Sequence, residues 1–181
     1  NFNWEMSGAS NWTTDTNHFI EGMVSGKSGI INHNESSILS ITLDVLEDGQ
    51  ISFYKKISCE NVGSQTGNYY DYLSFKIDEI EMDKWAGEVY WSLESFPVLA
   101  GNHTFYWEYI KDGAVTSGED AVWIDYIVFP PTSISEECPT PDINEDCIIN
   151  VLDVILLVNF VLGNNMPTDE ELFSADINQD N

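Results

Sequence analysis

Through the first 130 residues, apolar and polar side chains alternate in short runs broken by turn-forming residues. The clearest runs cover 37–45, 51–57, 72–78, 88–93, 103–110 and 121–129, and all are rich in β-branched and aromatic residues. A period of two sends alternate side chains to one face, as a strand with one buried and one wetted face requires. Glu47-Asp48-Gly49-Gln50 separates the first two runs, and Asp112-Gly113 between apolar stretches reads as a hairpin turn. No helical period appears in this part. About eight or nine strands in such a length predict a mainly β fold, a jelly-roll β-sandwich of two antiparallel sheets over one core. By the same alternation Trp107 and Trp123 point into that core.

The pattern changes at Pro130-Pro131. Residues 1–130 hold 21 of the 23 aromatic residues and every lysine, whereas the remainder carries 11 acids and no basic residue. Four prolines between positions 130 and 141 stiffen the connection. The expected organisation is a sandwich at 1–130, a Pro-rich linker at 131–140 and a small α-helical module at 141–181. In that module the run 151–162 is apolar almost all round and stops at Gly163, which reads as one short helix. Such a helix buries a face against the sandwich or another chain, or stays exposed. It is too short to span a bilayer, and Asp153 and Asn159 interrupt it.

Ahead of this helix, Asp142, Asn144, Asp146, Asn150 and Asp153 stand at the first, third, fifth, ninth and twelfth positions of one stretch. That is the stagger of an EF-hand-type loop, which surrounds a hard divalent cation with about six to eight oxygens. Asp142, Asn144, Asp146 and Asp153 are the expected side-chain ligands of Ca2+. Ile148 supplies a backbone carbonyl, and Asn150 acts directly or through water. Asp153 replaces the usual closing Glu, and Cys147 stands where a Gly makes the sharp turn. A Cβ at that turn costs about 1 kcal/mol and removes no ligand.

The pattern Asp-Ile-Asn-x-Asp returns at Asp176, Asn178 and Asp180. This duplicated loop, followed in its first copy by Ile-Asn-Val-Leu-Asp-Val, resembles the dockerin family, whose two calcium loops each lead into a helix. The resemblance covers about 141–181 and implies a cohesin-like partner. Its second copy stops after the fifth ligand position, so the second repeat is read as incomplete. Asn1 is preceded by neither an initiating Met nor a visible signal peptide, which reads as a mature or trimmed fragment.

Charge narrows the partners. Six lysines, no arginine and 31 acids give a formal net charge of −25, which repels nucleic acid and anionic membrane. Disorder does not follow, because 43% of residues are hydrophobic and 13% aromatic. Of three cysteines, Cys138 and Cys147 could bridge across the linker and leave Cys59 free; both reduced is nearly as good a reading. No Cys/His spacing fits zinc.

Within the sandwich, Glu60, Asp71, Asp120 and Asp125 stand out as candidates for a second metal site. Asp125 interrupts an apolar strand on the side of Trp123 and Ile127, and a part-buried carboxylate needs a cation or several hydrogen bonds. The alternative is a solvent-facing acid or a turn cap. The order of Ile51-Ser-Phe53, Ser58-Cys-Glu60, Asp71-Tyr-Leu-Ser-Phe-Lys-Ile-Asp78 and Asp120-Ala-Val-Trp-Ile-Asp125 resembles secreted bacterial jelly rolls akin to MAM and cleaved-adhesin domains. That resemblance implies an extracellular accessory or adhesion domain, in which an acid at such a strand end can help to hold a structural calcium.

Catalysis finds little support in the sequence. A glycosidase needs two carboxylates about 5–10 Å apart across a sugar cleft, and no E-x-D-x-E strand or clamping arginine is present. His18, His33 and His103 lack a nucleophile context. Aromatic side chains could instead form a sugar platform, and Trp12 and Trp85, beside polar loops, are the candidates. The remaining tryptophans are more simply explained as core. Asn11, Asn34 and Asn102 match the glycosylation sequon as readily by chance as by function.

The sequence therefore predicts a non-catalytic extracellular calcium-binding module, secreted or on a bacterial cell surface, for adhesion, glycan or partner recognition, with the dockerin-like part as adaptor. Its partners would be a glycan or surface protein, a cohesin-like domain, or another copy of itself. The alternative is a structural subunit of an extracellular filament or surface layer.

Overall fold

The structure, a computed structural model, describes residues 2–133, 151–163 and 166. The chain divides into two compact units, Asn1–Ile134 and Ser135–Asn181.

In the first unit the six predicted runs become β4 (Ser36–Val45), β5 (Gly49–Ser58), β6 (Tyr72–Ile77), β8 (Glu88–Val98), β9 (Gly101–Ile110) and β10 (Ala121–Val128). Shorter strands finish the sheets: β1 (Glu5–Gly8), β2 (Thr13–Asp15), β3 (Ser25–Lys27), β7 (Ile80–Trp85) and β11 (Thr132–Ser133). One sheet runs β1-β4-β9-β6-β7, with β11 also on β4, and the other runs β2-β3-β10-β5-β8. Every pairing is antiparallel. Consecutive strands β4 and β5 lie in opposite sheets, as do β9 and β10, so the chain crosses repeatedly between layers. This is the expected jelly-roll-type sandwich.

One local expectation fails. Asp112-Gly113 does not close a hairpin, because β9 and β10 belong to different sheets. Its backbone is instead held by Asn34 N–H on the Asp112 carbonyl at 2.8 Å and by Asp112 N–H on Asp71 Oδ1 at 3.0 Å. Past position 130, Thr132 and Ser133 pair with Val45 and Asp44.

Alternation explains the core. Leu39, Ile41, Leu43 and Val45 of β4, Leu73, Phe75 and Ile77 of β6, and Phe105, Trp107 and Tyr109 of β9 face Ile51, Phe53 and Ile57 of β5. Lys55 falls on the buried side of β5 and is 2% exposed. Its ammonium donates to Glu94 Oε1 at 2.7 Å and Ser92 Oγ at 2.8 Å, and lies 4.5 Å from the Trp85 ring centroid. A buried cation survives only with such compensation.

Trp123 is fully buried, yet not within the apolar cluster that takes its neighbours Val122 and Ile124. It points to the opposite face of its sheet, under Lys56 at 3.8 Å, Lys27 at 5.1 Å and the His18 ring at 4.8 Å. Its indole N–H donates to Asp15 Oδ2 at 2.7 Å.

In the second unit the described element is α1 (Val151–Val161). It ends where Gly163 takes φ +69°, with Leu162 N–H on the Val158 carbonyl and Gly163 N–H on the Phe160 carbonyl. The left-handed backbone that closes these bonds suits a residue without Cβ. Among the exposed apolar side chains, Val154, Leu157, Val158 and Val161 recur at the spacing of one helix face and form a stripe along it.

Candidate metal centre

The chain leaves β5 at Ser58, makes an excursion, and re-enters the sandwich at Tyr72 of β6. Both ends of this excursion are tied. Cys59 N–H donates to the Gly87 carbonyl at 3.1 Å, Gly87 N–H to the Glu60 carbonyl at 3.0 Å, and Cys59 Sγ–H to the Asp71 carbonyl at 3.2 Å. These ties bring Glu60 and Asp71 together, and Asp112, just past β9, joins them. One carboxylate oxygen from each lies within 4.8 Å of the other two.

The environment of this trio is incompatible with three bare charges. Asp71 is 0% exposed. Its Oδ1 accepts from Asp112 N–H, but Oδ2 is buried and receives no hydrogen bond among the described residues, and neither does buried Glu60 Oε2. The nearest cation, Lys111 Nζ, is 3.9 Å from Asp71 Oδ2. Lys111 is committed elsewhere, to both Asp120 oxygens at 2.6 and 2.5 Å and to Thr116 Oγ1 at 3.2 Å. Among the described residues the ammonium forms ion pairs with Asp120 and Asp71. Burial pushes Glu60 above its ordinary value, and Asp112 and Asp71 add to the rise. Burial likewise raises Asp71, against the Asp112 N–H and Lys111. At an effective dielectric of about 20, two unit charges 4.8 Å apart repel by about 3.5 kcal/mol. An all-oxygen set with buried lone pairs and excess negative charge has the donor chemistry of a hard divalent cation.

The predicted acids therefore separate. Glu60 and Asp71 meet, as a second metal site requires. Asp120 stands beside them, but its carboxylate is taken by Lys111 and by Tyr109 O–H at 2.9 Å. Asp125 is elsewhere: it accepts backbone N–H groups of Ile20 at 2.6 Å, Glu21 at 3.2 Å and Tyr126 at 2.7 Å. Its strand keeps register through Asp125 and slips only after it, where Tyr126 takes φ +48°, so Asp125 stays on the face of Trp123 while Ile127 shifts to the core side. These three hydrogen bonds occupy its carboxylate, as in a turn cap. The residue missed is Asp112, whose Asp-Gly pair looks like a turn; in sequence it lies far from Glu60 and Asp71.

The tryptophan platforms do not survive either. Trp12 is 3% exposed, and its indole N–H donates to the Ser37 carbonyl at 3.2 Å. Its polar neighbours Asn11, Thr13 and Thr14 favour exposure by pattern, but Trp12 stands just ahead of the edge strand β2 and packs into the core. Trp85 is half-buried against the core, with Phe53 and Phe96 around it and Lys55 over its ring. An apolar cleft of about 550 Å3 opens between edge strands β1 and β2–β3, lined by Phe2, Trp4, Val24, Ile124 and Phe129. Asp125 also lines this cleft, but its carboxylate is spent on the backbone bonds above. The loop ligands Asp142, Asn144, Asp146, Ile148 and Asn150, the Asp153 side chain, the second set Asp176, Asn178 and Asp180, and the Cys138–Cys147 pair all lie outside the described residues.

In fold, the chain is similar to part of the secreted serine protease VesC from Vibrio cholerae, at 15% identity and a TM-score of 0.55. The match covers 71% of this chain and 24% of that one, so it spans about a quarter of the protease. Weaker likenesses are to the K1 cleaved adhesin domain of Lys-gingipain from Porphyromonas gingivalis W83 and to the CBM22-1 xylan-binding domain from Paenibacillus barcinonensis. The first has 11% identity, a TM-score of 0.47 and coverage of 68% of this chain and 88% of that one. The second has 13% identity, a TM-score of 0.41 and coverage of 68% and 82%. No curated protein sequence matches the chain. Residues 140–181 match the family model of the dockerin type I domain.

Proposed function

We propose that this chain is a non-catalytic extracellular calcium-binding module, in which the sandwich recognises a glycan or surface partner and residues 141–181 act as adaptor. The observation that carries the reading is the trio of Glu60, Asp71 and Asp112, with two buried oxygens that accept no hydrogen bond among the described residues. Ca2+ there takes an oxygen from each carboxylate and offsets their repulsion, with carbonyls or water completing the shell. The dockerin type I match supports the adaptor role, and the stagger of Asp142, Asn144, Asp146, Ile148, Asn150 and Asp153 supports a second calcium in that part. Asp176, Asn178 and Asp180 form the corresponding start of the next loop. A cohesin-like domain is the expected partner of this segment.

A binding role is also favoured by how the other buried acids are engaged. Asp15 is held by His18, Trp123 and a backbone N–H, and Asp120 by Lys111 and Tyr109. Calcium titration of the full chain by isothermal calorimetry tests the reading. Glu60→Gln combined with Asp112→Asn should remove one site, and Asp142→Ala should remove a different one. Unchanged stoichiometry in the first variant would sink the sandwich site.

A further inference from the structure

We propose that the excursion closed by Glu60 and Asp71 carries a calcium-gated subsite for a neutral sugar ring, built from Asn68, Tyr69, Tyr72 and Lys84. The proposal rests on the cation reading of the trio and adds the ligand class and its control.

The subsite is a pocket of about 430 Å3 between the loop tip and β7. Tyr69 and Tyr72 meet with ring centroids 5.8 Å apart at 76°, which makes a two-walled corner. Lys84 Nζ stands 5.2 and 5.6 Å from the two centroids, and Asn68 and Gly67 form part of the remaining lining. Tyr69 is 36% exposed and Tyr72 is half-buried, so the site keeps aromatic surface next to hydroxyl, amide and ammonium groups. A pyranose presents the matching pair of surfaces: an axial C–H face that packs on an aromatic ring, and a rim of hydroxyls that both donate and accept. Its polar and apolar groups are interleaved as the pocket's are, and the volume lies in the range of about 300–1,000 Å3 usual for small-ligand sites.

Charge selects a neutral ring. Lys84 is already paired with Glu81 Oε1 at 2.8 Å, and a net charge of −25 opposes an acidic glycan.

The gate follows from where the loop is anchored. Residues 61–70 join no sheet. Inside the loop the backbone bonds are those of one turn: Gly63 N–H to the Asn68 carbonyl, and the amides of Thr66 and Gly67 to the Gly63 carbonyl. The position of Asn68 and Tyr69 is therefore set largely at the neck, where Glu60 and Asp71 face each other. Asp71 directly precedes Tyr72 and lies two residues after Tyr69. A cation draws the two neck carboxylates onto one centre, and its removal lets them separate and opens the corner between the rings.

The test titrates the full chain with cellohexaose, xylohexaose, mannohexaose and, as the acidic arm, hexagalacturonate, each in calcium and in EGTA. Calorimetry gives affinity, and thermal unfolding confirms that each variant is folded. At least one neutral hexasaccharide should bind in calcium. Tyr69→Ala, or Lys84→Met as a milder second change, should weaken it by about tenfold. EGTA and the Glu60→Gln/Asp112→Asn pair should weaken it by a similar factor. Binding of no neutral probe, preference for hexagalacturonate, or affinity indifferent to both Tyr69→Ala and Lys84→Met overturns the subsite. Calcium calorimetry on the same variants separates the two levels. If calcium binds at the trio and sugar affinity ignores it, the gate alone is wrong; if no calcium binds there, the cation reading fails and takes the gate with it.

Discussion

Asp71→Asn should stabilise the sandwich in chelator and lose that advantage as calcium rises. The substitution keeps Oδ1 for the Asp112 N–H and replaces Oδ2, which accepts no hydrogen bond among the described residues, with an amide donor. It also removes a charge that repels Glu60 and Asp112 by about 3.5 kcal/mol each at a dielectric of about 20, whereas Lys111 at 3.9 Å returns about 4 kcal/mol. The cation-free variant should therefore be more stable by about 2–3 kcal/mol, or roughly 6–9 °C in Tm for a unit of this size. Calcium changes the order. At a hundredfold excess over Kd the wild type gains about 2.7 kcal/mol, and at a thousandfold about 4.1, while the variant gains little. The two stability curves should cross. Tryptophan fluorescence follows the sandwich alone, because all six tryptophans lie within 1–130. An Asp71→Asn protein that is less stable than wild type in EGTA, or that responds to calcium as strongly, would refute the account of the trio.

Other expected outcomes are separate from this one. Lys55→Ala should cost about 3 kcal/mol in urea unfolding, since it strips a buried ion pair and leaves Glu94 with 26% of its side chain exposed; Lys55→Met, which keeps the stem packed on Trp85, should cost less. Burial alone would raise the Asp15 carboxyl, but hydrogen bonds from His18, the Asn17 N–H and Trp123 outweigh it and hold the group well below the usual range. A carboxyl depressed on folding contributes stability above its unfolded value near 3.8, and that stability is lost as pH falls toward the folded value. Asp15→Asn should therefore be less stable at pH 6 by about 2 kcal/mol, with the gap narrowing at pH 3 in the same assay. In the carboxyl-terminal part, chelation should release hydrogen-exchange protection of α1 while the sandwich stays folded. Asp142→Ala or Asp153→Ala should reproduce the loss, and Glu145→Ala should not; protection indifferent to chelator would remove calcium from that loop.

What the sequence disclosed depended on whether the deciding interaction was local. The six long strands could be read because each repeats its alternation over many residues, while β1, β2 and β3 are three or four residues long and mostly polar, too short for a period to emerge. Gly163 as the helix stop was equally legible, since a C-cap is a matter of one backbone angle. Trp12 was misjudged because its neighbours Asn11, Thr13 and Thr14 are polar, whereas its burial is decided by Ser37 of another strand. Glu60 and Asp71 were visible as unusual acids, but Asp112 joins them only through the crossing of β9 into the opposite sheet. Asp125 shows the converse, since a segment far from it in sequence brings the Ile20 and Glu21 N–H groups that its carboxylate accepts.

Cys59 is a free thiol, buried at the neck of the loop, with its proton directed at the Asp71 carbonyl. Burial pushes it up to about 12, and the nearby carboxylates of Asp71, Asp120 and Glu88 add to that. At pH 8 only about one such thiol in ten thousand is ionised, and the thiolate is the form that alkylates or exchanges disulfides. In oxidising surroundings this cysteine stays chemically silent while the neck is shut. Each transient opening hydrates it and returns it to ordinary reactivity, so the rate at which an alkylating reagent labels Cys59 reports the openings of the neck through a residue the chain already carries.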